Sequence, residues 1–239
     1  MLVSKIGFFV RVIKSRFYIL LPTKSLQGLV LRHFRFWSHS NHPNVGAFLC
    51  ALGELSGKAA VIVETGTSAW GTDSTRLWAR YIQKYGGELW SVDLRREASE
   101  RLKGQLKGNV HLVIGDSVEF LHGAKYPKAD LYFLDSWDVD WSDPDPAALH
   151  GYKEFQAIRN SLKVGDIIII DDTPRDYSFL PNSIITNLED GRLQADLISG
   201  KGALVFQEIH NDPKYLILYH EYSLVIKVIQ TPDEVGGLS

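Results

Sequence analysis

Acidic side chains recur in this chain where core strands should be ending. "AAVIVE" ends on Glu64, "ELWSVD" on Asp93, "NVHLVIGD" on Asp116, "ADLYFLD" on Asp135, and "GDIIIIDD" on Asp171 and Asp172. Gathered in a cleft of low dielectric, such carboxylates repel one another, and something has to offset them. Ligand hydroxyls or amines, a cationic ligand or a divalent metal could each do so. Any single member, Asp116 among them, also reads as an ordinary helix cap or turn former; the chemistry lies in the ordered set.

The elements that position these acids alternate. Each run is short and nearly continuous in Val, Ile, Leu and aromatics. Between the runs lie helical stretches such as "DSTRLWARYIQKYGG", with Asp73 and Ser74 as candidate caps, "REASERLKGQL", "SVEFLHGA" and "PAALHGYKEFQAIRNSL". That pattern predicts a parallel sheet covered on both faces, with right-handed crossovers. In an open sheet of this kind the carboxyl ends of the strands share one edge, where ligands bind. "NVGAFLCALGELSG" (Asn44–Gly57) reads as a helix closed by Gly57. Near the C-terminus, "GALVFQEI" and "YLILYHEYSLVIKVI" look strand-like with only "HNDP" between them, which predicts an antiparallel hairpin finishing the sheet.

The first strand runs into "GTSAWGTDST", where Gly66 and Gly71 flank a turn before a helix. Glycine lets backbone approach a ligand, and a helix N-terminus presents free N–H groups. Asp93 ends the second strand, ~20 residues on, where an acid accepts hydrogen bonds from both ribose hydroxyls. The site therefore suits a nucleoside. The G-x-G-x-x-G fingerprint is absent from the turn, and Glu64 and Asp73 would repel a pyrophosphate.

The ordered set "VETGTSAWGTDST", "WSVD", "IGDS", "LYFLDSW" and "LKVGDIIIIDD" resembles class I S-adenosylmethionine-dependent methyltransferases. Within them it is most similar to the catechol-type and the sugar or natural-product O-methyltransferases, including the cephalosporin hydroxylase-like group. The likeness runs from about Asn44 to Asp172. It implies a Rossmann-like, doubly wound α/β sheet, mostly parallel, over residues 44–230, with transfer of a methyl group to a hydroxyl of a sugar or natural product. It implies that Glu64, Gly66, Thr67 and Ser68 line the methionine and ribose part of S-adenosylmethionine. Ser74 would lie near its carboxylate, Asp93 on the ribose, Asp116 and Ser117 beside the adenine, and Asp135 beneath the sulfonium. In metal-dependent relatives the positions of Asp135, Asp171 and Asp172 bind Mg²⁺, and three carboxylates suit Mg²⁺, Ca²⁺ or Mn²⁺. The chain departs from the catechol-type pattern at the base: the expected lysine position holds Asp138, and the nearest histidine is His150. Asp138 and His150 are thus the candidate proton acceptors, with Asp135 beside them.

The stretch Ser136–Pro146, "SWDVDWSDPDP", is acidic and aromatic. It reads as a surface loop or as a lid whose Trp137 and Trp141 stack on an acceptor ring. "TPRDYSFLPN" could add Arg175 and Tyr177 to the same pocket.

The chain has 239 residues, 45% of them hydrophobic and 23% charged, with a net charge of -2. One large domain is expected, with no nucleic-acid partner. One cysteine, Cys50, leaves no disulfide framework and fits a reducing, cytoplasmic compartment. Residues 1–43 carry basic residues and no Asp or Glu, interleaved with aromatics. They read as a basic amphipathic extension that packs on the domain or on a second subunit of a homo-oligomer, or that rests on an anionic membrane surface. Arg11 and Lys14 break the apolar run that a secretory signal would need. Residues 231–239 read as a frayed tail. Two rival functions stay open from the residues: a nicotinamide-dependent oxidoreductase on the same topology, and a non-catalytic binding protein on a methyltransferase fold.

Overall fold

A computed structural model describes residues 25–68, 71–180 and 200–230. The expectations for residues 1–24 and for the tail 231–239 lie outside the described residues.

The described residues open with two helices, α1 (Leu26–Trp37) and α2 (Val45–Leu55). The β/α alternation follows as β1 (Ala60–Thr65), α3 (Ser74–Tyr85), β2 (Gly87–Asp93), α4 (Arg96–Leu102), β3 (Val110–Ile114), α5 (Ser117–Gly123), β4 (Leu131–Leu134), α6 (Asp145–Arg159) and β5 (Ile167–Ile170). A 3-10 turn (Tyr177–Phe179), α7 (Ala203–Ile209), β6 (Tyr215–His220) and β7 (Leu224–Val228) complete it.

Among the described residues seven strands form one sheet in the order β3-β2-β1-β4-β5-β7-β6. The first five are parallel; β7 runs antiparallel to β5, and β6 to β7. The order reverses between β1 and β4, so the crevice beyond their carboxyl ends is the topological switch point at which such sheets bind ligands.

The run of four isoleucines in β5 shows why these strands are apolar throughout. Ile167 and Ile169 join one core with Phe48, Trp78 and Phe133, under α1, α2 and α3. Ile168 and Ile170 join the other, with Tyr132, Phe155, Ile158 and Val205. Both faces of the strand are buried, so no polar alternation survives.

Three expectations need correction. "GALVFQEI" is not a strand but the helix α7, whose Ala203, Val205 and Ile209 face inwards. All three positions are odd-numbered, as one face of a strand would be, and a short apolar run does not by itself separate strand from helix. The hairpin is instead made within "YLILYHEYSLVIKVI", which turns at Glu221–Ser223 to give β6 and β7. The helix beginning after Asn44 ends at Leu55, and the left-handed turn that closes it takes in Ser56, with φ 54, as well as Gly57, with φ 69.

Helix α1 is part of the core although its sequence is basic. Leu29, Val30, His33 and Phe34 are buried, and Phe34 meets Phe48 of α2 edge to face at 5.5 Å. Among the described residues, no helix is long and apolar enough to cross a membrane.

Candidate active site

The turn after β1 is knitted together by hydroxyls gathered on Glu64, which is fully buried. Ser74 Oγ donates to Glu64 Oε1 at 2.5 Å. Thr75 Oγ1 donates to Oε2 at 2.5 Å and Ser91 Oγ at 2.6 Å. Thr67 Oγ1 bonds to Ser91 at 2.8 Å. Burial pushes the Glu64 carboxyl up to about 7, against the downward pull of the Ser74, Ser91 and Thr75 hydrogen bonds. These bonds make Glu64 an anchor of the turn, with Ser74 tied to it.

Asp73 occupies the position before α3 but makes no cap bond. Its carboxylate instead accepts from Ser68 Oγ at 2.7 Å and from Arg76 Nε at 2.8 Å. Gly66 has φ +85, and a Cβ there would lie 2.0 Å from the Asp135 carbonyl oxygen. Only glycine lets the turn press against the end of β4 in this way. Ser68, Asp73 and Asp172 all take left-handed backbone at this edge, with φ 54, 46 and 44. Such strained positions cluster at ligand sites.

Asp93 ends β2 almost buried. Its two oxygens receive Arg95, with Nε at 3.0 Å and Nη2 at 2.9 Å. Arg95 is 61% exposed, and its bond to Asp93, with the charges of Asp138 and Asp135, raises its guanidinium above the ordinary value. Asp116 caps α5, accepting from the Glu119 N–H at 2.9 Å; the plain cap reading fits it. Ser117 Oγ donates to Ser136 Oγ at 3.2 Å.

His150 lies on α6 in a separate hydrogen-bonded group. Its Nε2 is 2.8 Å from Ser136 Oγ and 3.1 Å from Ser117 Oγ. Ser136 spends its own hydrogen on Glu154 Oε1, at 2.7 Å, so His150 Nε2 carries the proton and donates it to that group. Trp137 is exposed, with its ring 5.0 Å from that of His150. Of the stretch read as a lid, Asp145 and Pro146 already belong to α6. Arg175 pairs with Asp176 at 3.2 Å and lies over the Phe179 ring.

Asp135, Asp138, Asp171 and Asp172 do come together. With His42, Asn44, Thr72 and Tyr222 they line a small cavity of about 70 Å³. Asp171 Oδ1 accepts from Asn44 Nδ2 at 2.7 Å, from Ser223 Oγ at 2.9 Å and from the Asp172 N–H at 2.8 Å. Tyr222 donates to Asp172 Oδ1 at 2.7 Å. Two buried polar atoms in the wall, Asn44 Oδ1 and Thr72 Oγ1, have no partner among the described residues. His33 Nε2 holds the Thr72 carbonyl at 2.7 Å. Burial lowers His33 to about 4, so the neutral ring donates this bond. Burial and then His39 lower His42 likewise, to about 4.

The charge balance of this group rests on Lys201, to which the sequence reading gave no role. It is 3% exposed, bonds to Asp135 Oδ1 and lies 3.0 Å from Asp172 Oδ2. Burial alone would lower this ammonium, but Asp135, Asp172 and Asp171 together hold it above its ordinary value. Burial raises Asp135, and the charges of Asp171 and Asp172 add to that against Lys201. Burial and then Asp172 push Asp171 up to about 6. The offset demanded by clustered carboxylates is therefore supplied, at least in part, by the chain itself. A signal was present in "GKG", a lysine between two glycines, but nothing local pairs it with acids some thirty or more residues upstream.

The three carboxylates expected to hold Mg²⁺ do not fit a divalent ion as they stand, because an ammonium already bridges two of them. Among the described residues, no group of three His, Cys, Asp or Glu side chains has the geometry to hold a metal ion. Asp135 and Asp138 line the cavity beyond β4, Asp93 ends β2, and the glycine-carried turn after β1 lies against the Asp135 backbone.

No family model matches the chain, and no curated protein matches it. Solved structures do. The MycE methyltransferase of the mycinamycin biosynthetic pathway, held with Mg, SAH and mycinamycin VI, aligns with a TM-score of 0.56 at 15% identity. The match covers 90% of this chain but only 56% of that one. A candidate O-methyltransferase from Klebsiella pneumoniae aligns with a TM-score of 0.51 at 22% identity, over 88% of this chain and 93% of that one. The fold is that of the class I methyltransferases.

Proposed function

We propose that the protein is an S-adenosylmethionine-dependent O-methyltransferase whose acceptor is a polyhydroxylated sugar or natural product. The observation that carries this reading is the pairing of Asp135 and Asp138 on one cavity beyond β4, with Asp93 at the carboxyl end of β2, at the switch point of a methyltransferase fold. The two structures above, one of them bound to SAH and a natural product, support it by likeness of fold.

The cofactor supplies an electrophilic methyl on a positively charged sulfur. Asp93 would accept hydrogen bonds from the ribose hydroxyls; a carboxylate has lone pairs enough to keep Arg95 as well. Gly66, Thr67 and Ser68 would line the methionine and ribose side. Leu94, 69% exposed next to Asp93, offers an apolar surface to the adenine, with Ser117 and Asp116 at its border.

The cavity beside Asp135 sets the acceptor chemistry. It is small, about 70 Å³, and lined by polar side chains, Asp135, Asp138, Asn44 and Thr72 among them, so it suits hydroxyl groups. The unpartnered Asn44 Oδ1 asks for a donor, and Thr72 Oγ1 can give or accept one. A sugar hydroxyl flanked by a second hydroxyl satisfies both, which a lone phenol does not. Asp138, on the wall of the same cavity, is placed to take the acceptor proton. Holding the hydroxyl in line with the methyl would be the larger part of the catalysis. Assistance by Mg²⁺ through Asp135, Asp171 and Asp172 is not part of the reading, since Lys201 holds two of the three.

The test is transfer of labelled methyl from S-adenosylmethionine to matched panels of glycosides and simple phenols. The reading expects label on glycoside hydroxyls and a fall of roughly a hundredfold or more in kcat for Asp138→Asn, in the range for loss of a general base. Label confined to phenols or amines would overturn the acceptor assignment, and an unchanged kcat in Asp138→Asn would remove the base.

A further inference from the structure

We propose that Lys201 is a built-in replacement for a divalent ion: its ammonium takes the place between Asp135 and Asp172 where a metal would be held, and removing it turns the acidic cluster into a divalent-cation site. What Lys201 does in turnover rests on the methyltransferase reading; its relation to metal does not.

Lysine is almost never fully buried without partners, and Lys201 has carboxylate partners on two strand ends, Asp135 after β4 and Asp172 after β5. A hard divalent ion needs several oxygens free at once. Asp171 Oδ1 is taken by Asn44, Ser223 and the Asp172 N–H, and Asp172 Oδ1 by Tyr222. Lys201 engages Asp172 Oδ2 and Asp135 Oδ1. The ammonium thus occupies one oxygen on each of two carboxylates that a metal would need together.

The lysine is also fixed in place by its backbone. Gly200 has φ +92, and a Cβ there would fall 1.9 Å from the Asp172 carbonyl oxygen. Lys201 N donates to that same oxygen at 3.0 Å. The Gly202 N–H donates to Thr173 Oγ1 at 2.9 Å. From the other side, a Cβ on Gly151 of α6 would meet the Lys201 carbonyl oxygen at 2.3 Å. The segment is wedged between the exit of β5 and α6, and its ammonium is aimed where a surface lysine could not stay.

Lys201 is absent from the lining of the small cavity and lies behind its acidic wall, so it is a positioning residue. It holds Asp135 and Asp172 in register and neutralises part of their charge. Without it three carboxylates face one another, which a divalent ion can offset and a neutral side chain cannot.

The experiment is a Mn²⁺ titration followed by electron paramagnetic resonance, on the full chain as wild type, Lys201→Met and Lys201→Met/Asp135→Asn. The wild type should bind no Mn²⁺ at the cluster up to about 1 mM, the weak end of oxygen-ligand affinities. Lys201→Met should bind one ion at least tenfold more tightly than the wild type, and the double variant should lose it. Wild-type binding of one Mn²⁺ that Asp172→Asn abolishes would overturn the proposal, as would a folded Lys201→Met that binds no more Mn²⁺ than the wild type. If Lys201→Met fails to fold, the wild-type and Asp172→Asn titrations still decide it. Calorimetry of S-adenosylhomocysteine on the same samples separates the two readings: no binding there, with the Mn²⁺ pattern as described, would sink the cofactor assignment and leave the lysine assignment standing.

Discussion

Replacing Glu64 by glutamine should change how stability depends on pH, in a direction that the buried turn dictates. In the folded protein the Glu64 carboxyl is raised from its ordinary 4.5 to about 7, because burial outweighs the hydroxyls that bond to it. An acid raised by folding stabilises the native state at low pH, where both states are protonated. As pH climbs past 4.5 the unfolded chain gives up its proton first, so stability falls until the native carboxyl also ionises near 7. Each unit of pKa is worth about 1.4 kcal/mol. A shift from 4.5 to about 7 therefore removes about 3 kcal/mol across that window. Glu64→Gln has no proton to lose; its carbonyl oxygen accepts on one side of the cluster of Ser74, Thr75 and Ser91 hydroxyls, and its NH2 donates to hydroxyl oxygen on the other. Urea unfolding of both proteins from pH 4 to pH 8.5 measures the difference. The stability of the variant relative to wild type should rise by about 3 kcal/mol between the ends of the series. A difference independent of pH, or one that falls as pH rises, would refute the assignment of Glu64 as a buried, weakly acidic anchor.

Two further substitutions probe how the fold carries the site. Gly66→Ala puts a methyl group 2.0 Å from the Asp135 carbonyl oxygen at a backbone angle suited to glycine; it should destabilise by at least about 2 kcal/mol in chemical denaturation and weaken nucleoside binding in calorimetry. Phe133→Ala empties the place where Phe48 and Trp78 meet the sheet, at ring distances of 5.3 and 5.7 Å; it should cost about 3–5 kcal/mol in urea unfolding, with cofactor affinity per folded molecule largely kept.

Much of the architecture was legible because burial on both faces leaves a plain mark. The isoleucines of β5 and the Leu-Tyr-Phe-Leu of β4 have no polar phase, and helices of regular period separate such runs. The acids at the strand ends were legible for the same reason: an apolar run that stops on a carboxylate marks an edge. What the sequence could not separate were alternatives of equal local cost. "ALVFQEI" places Ala203, Val205 and Ile209 inward as a helix, and its hydrophobic content suits a strand as well. In α1 the arginines on the exposed face masked the buried Leu29, Val30 and Phe34. At the site, electrostatics called for a positive charge among the acids without naming its source. Lys201 reaches them only after the chain has left β5 and returned beside α6. The separation of roles among the acids was hidden too. Asp116 caps a helix, Glu64 anchors a turn, and only Asp135, Asp138, Asp171 and Asp172 share a cavity.

The central claim is that the crevice bordered by Asp93 and Asp135 takes the S-adenosyl group. Isothermal titration of S-adenosylhomocysteine, with NAD titrated alongside, into wild type and Asp93→Ala tests it most directly. Saturable binding of S-adenosylhomocysteine and none of NAD is expected, with affinity at least tenfold weaker in Asp93→Ala, as suits the loss of a charged hydrogen-bond partner. Equal affinities for wild type and Asp93→Ala, or preference for NAD, would contradict the account.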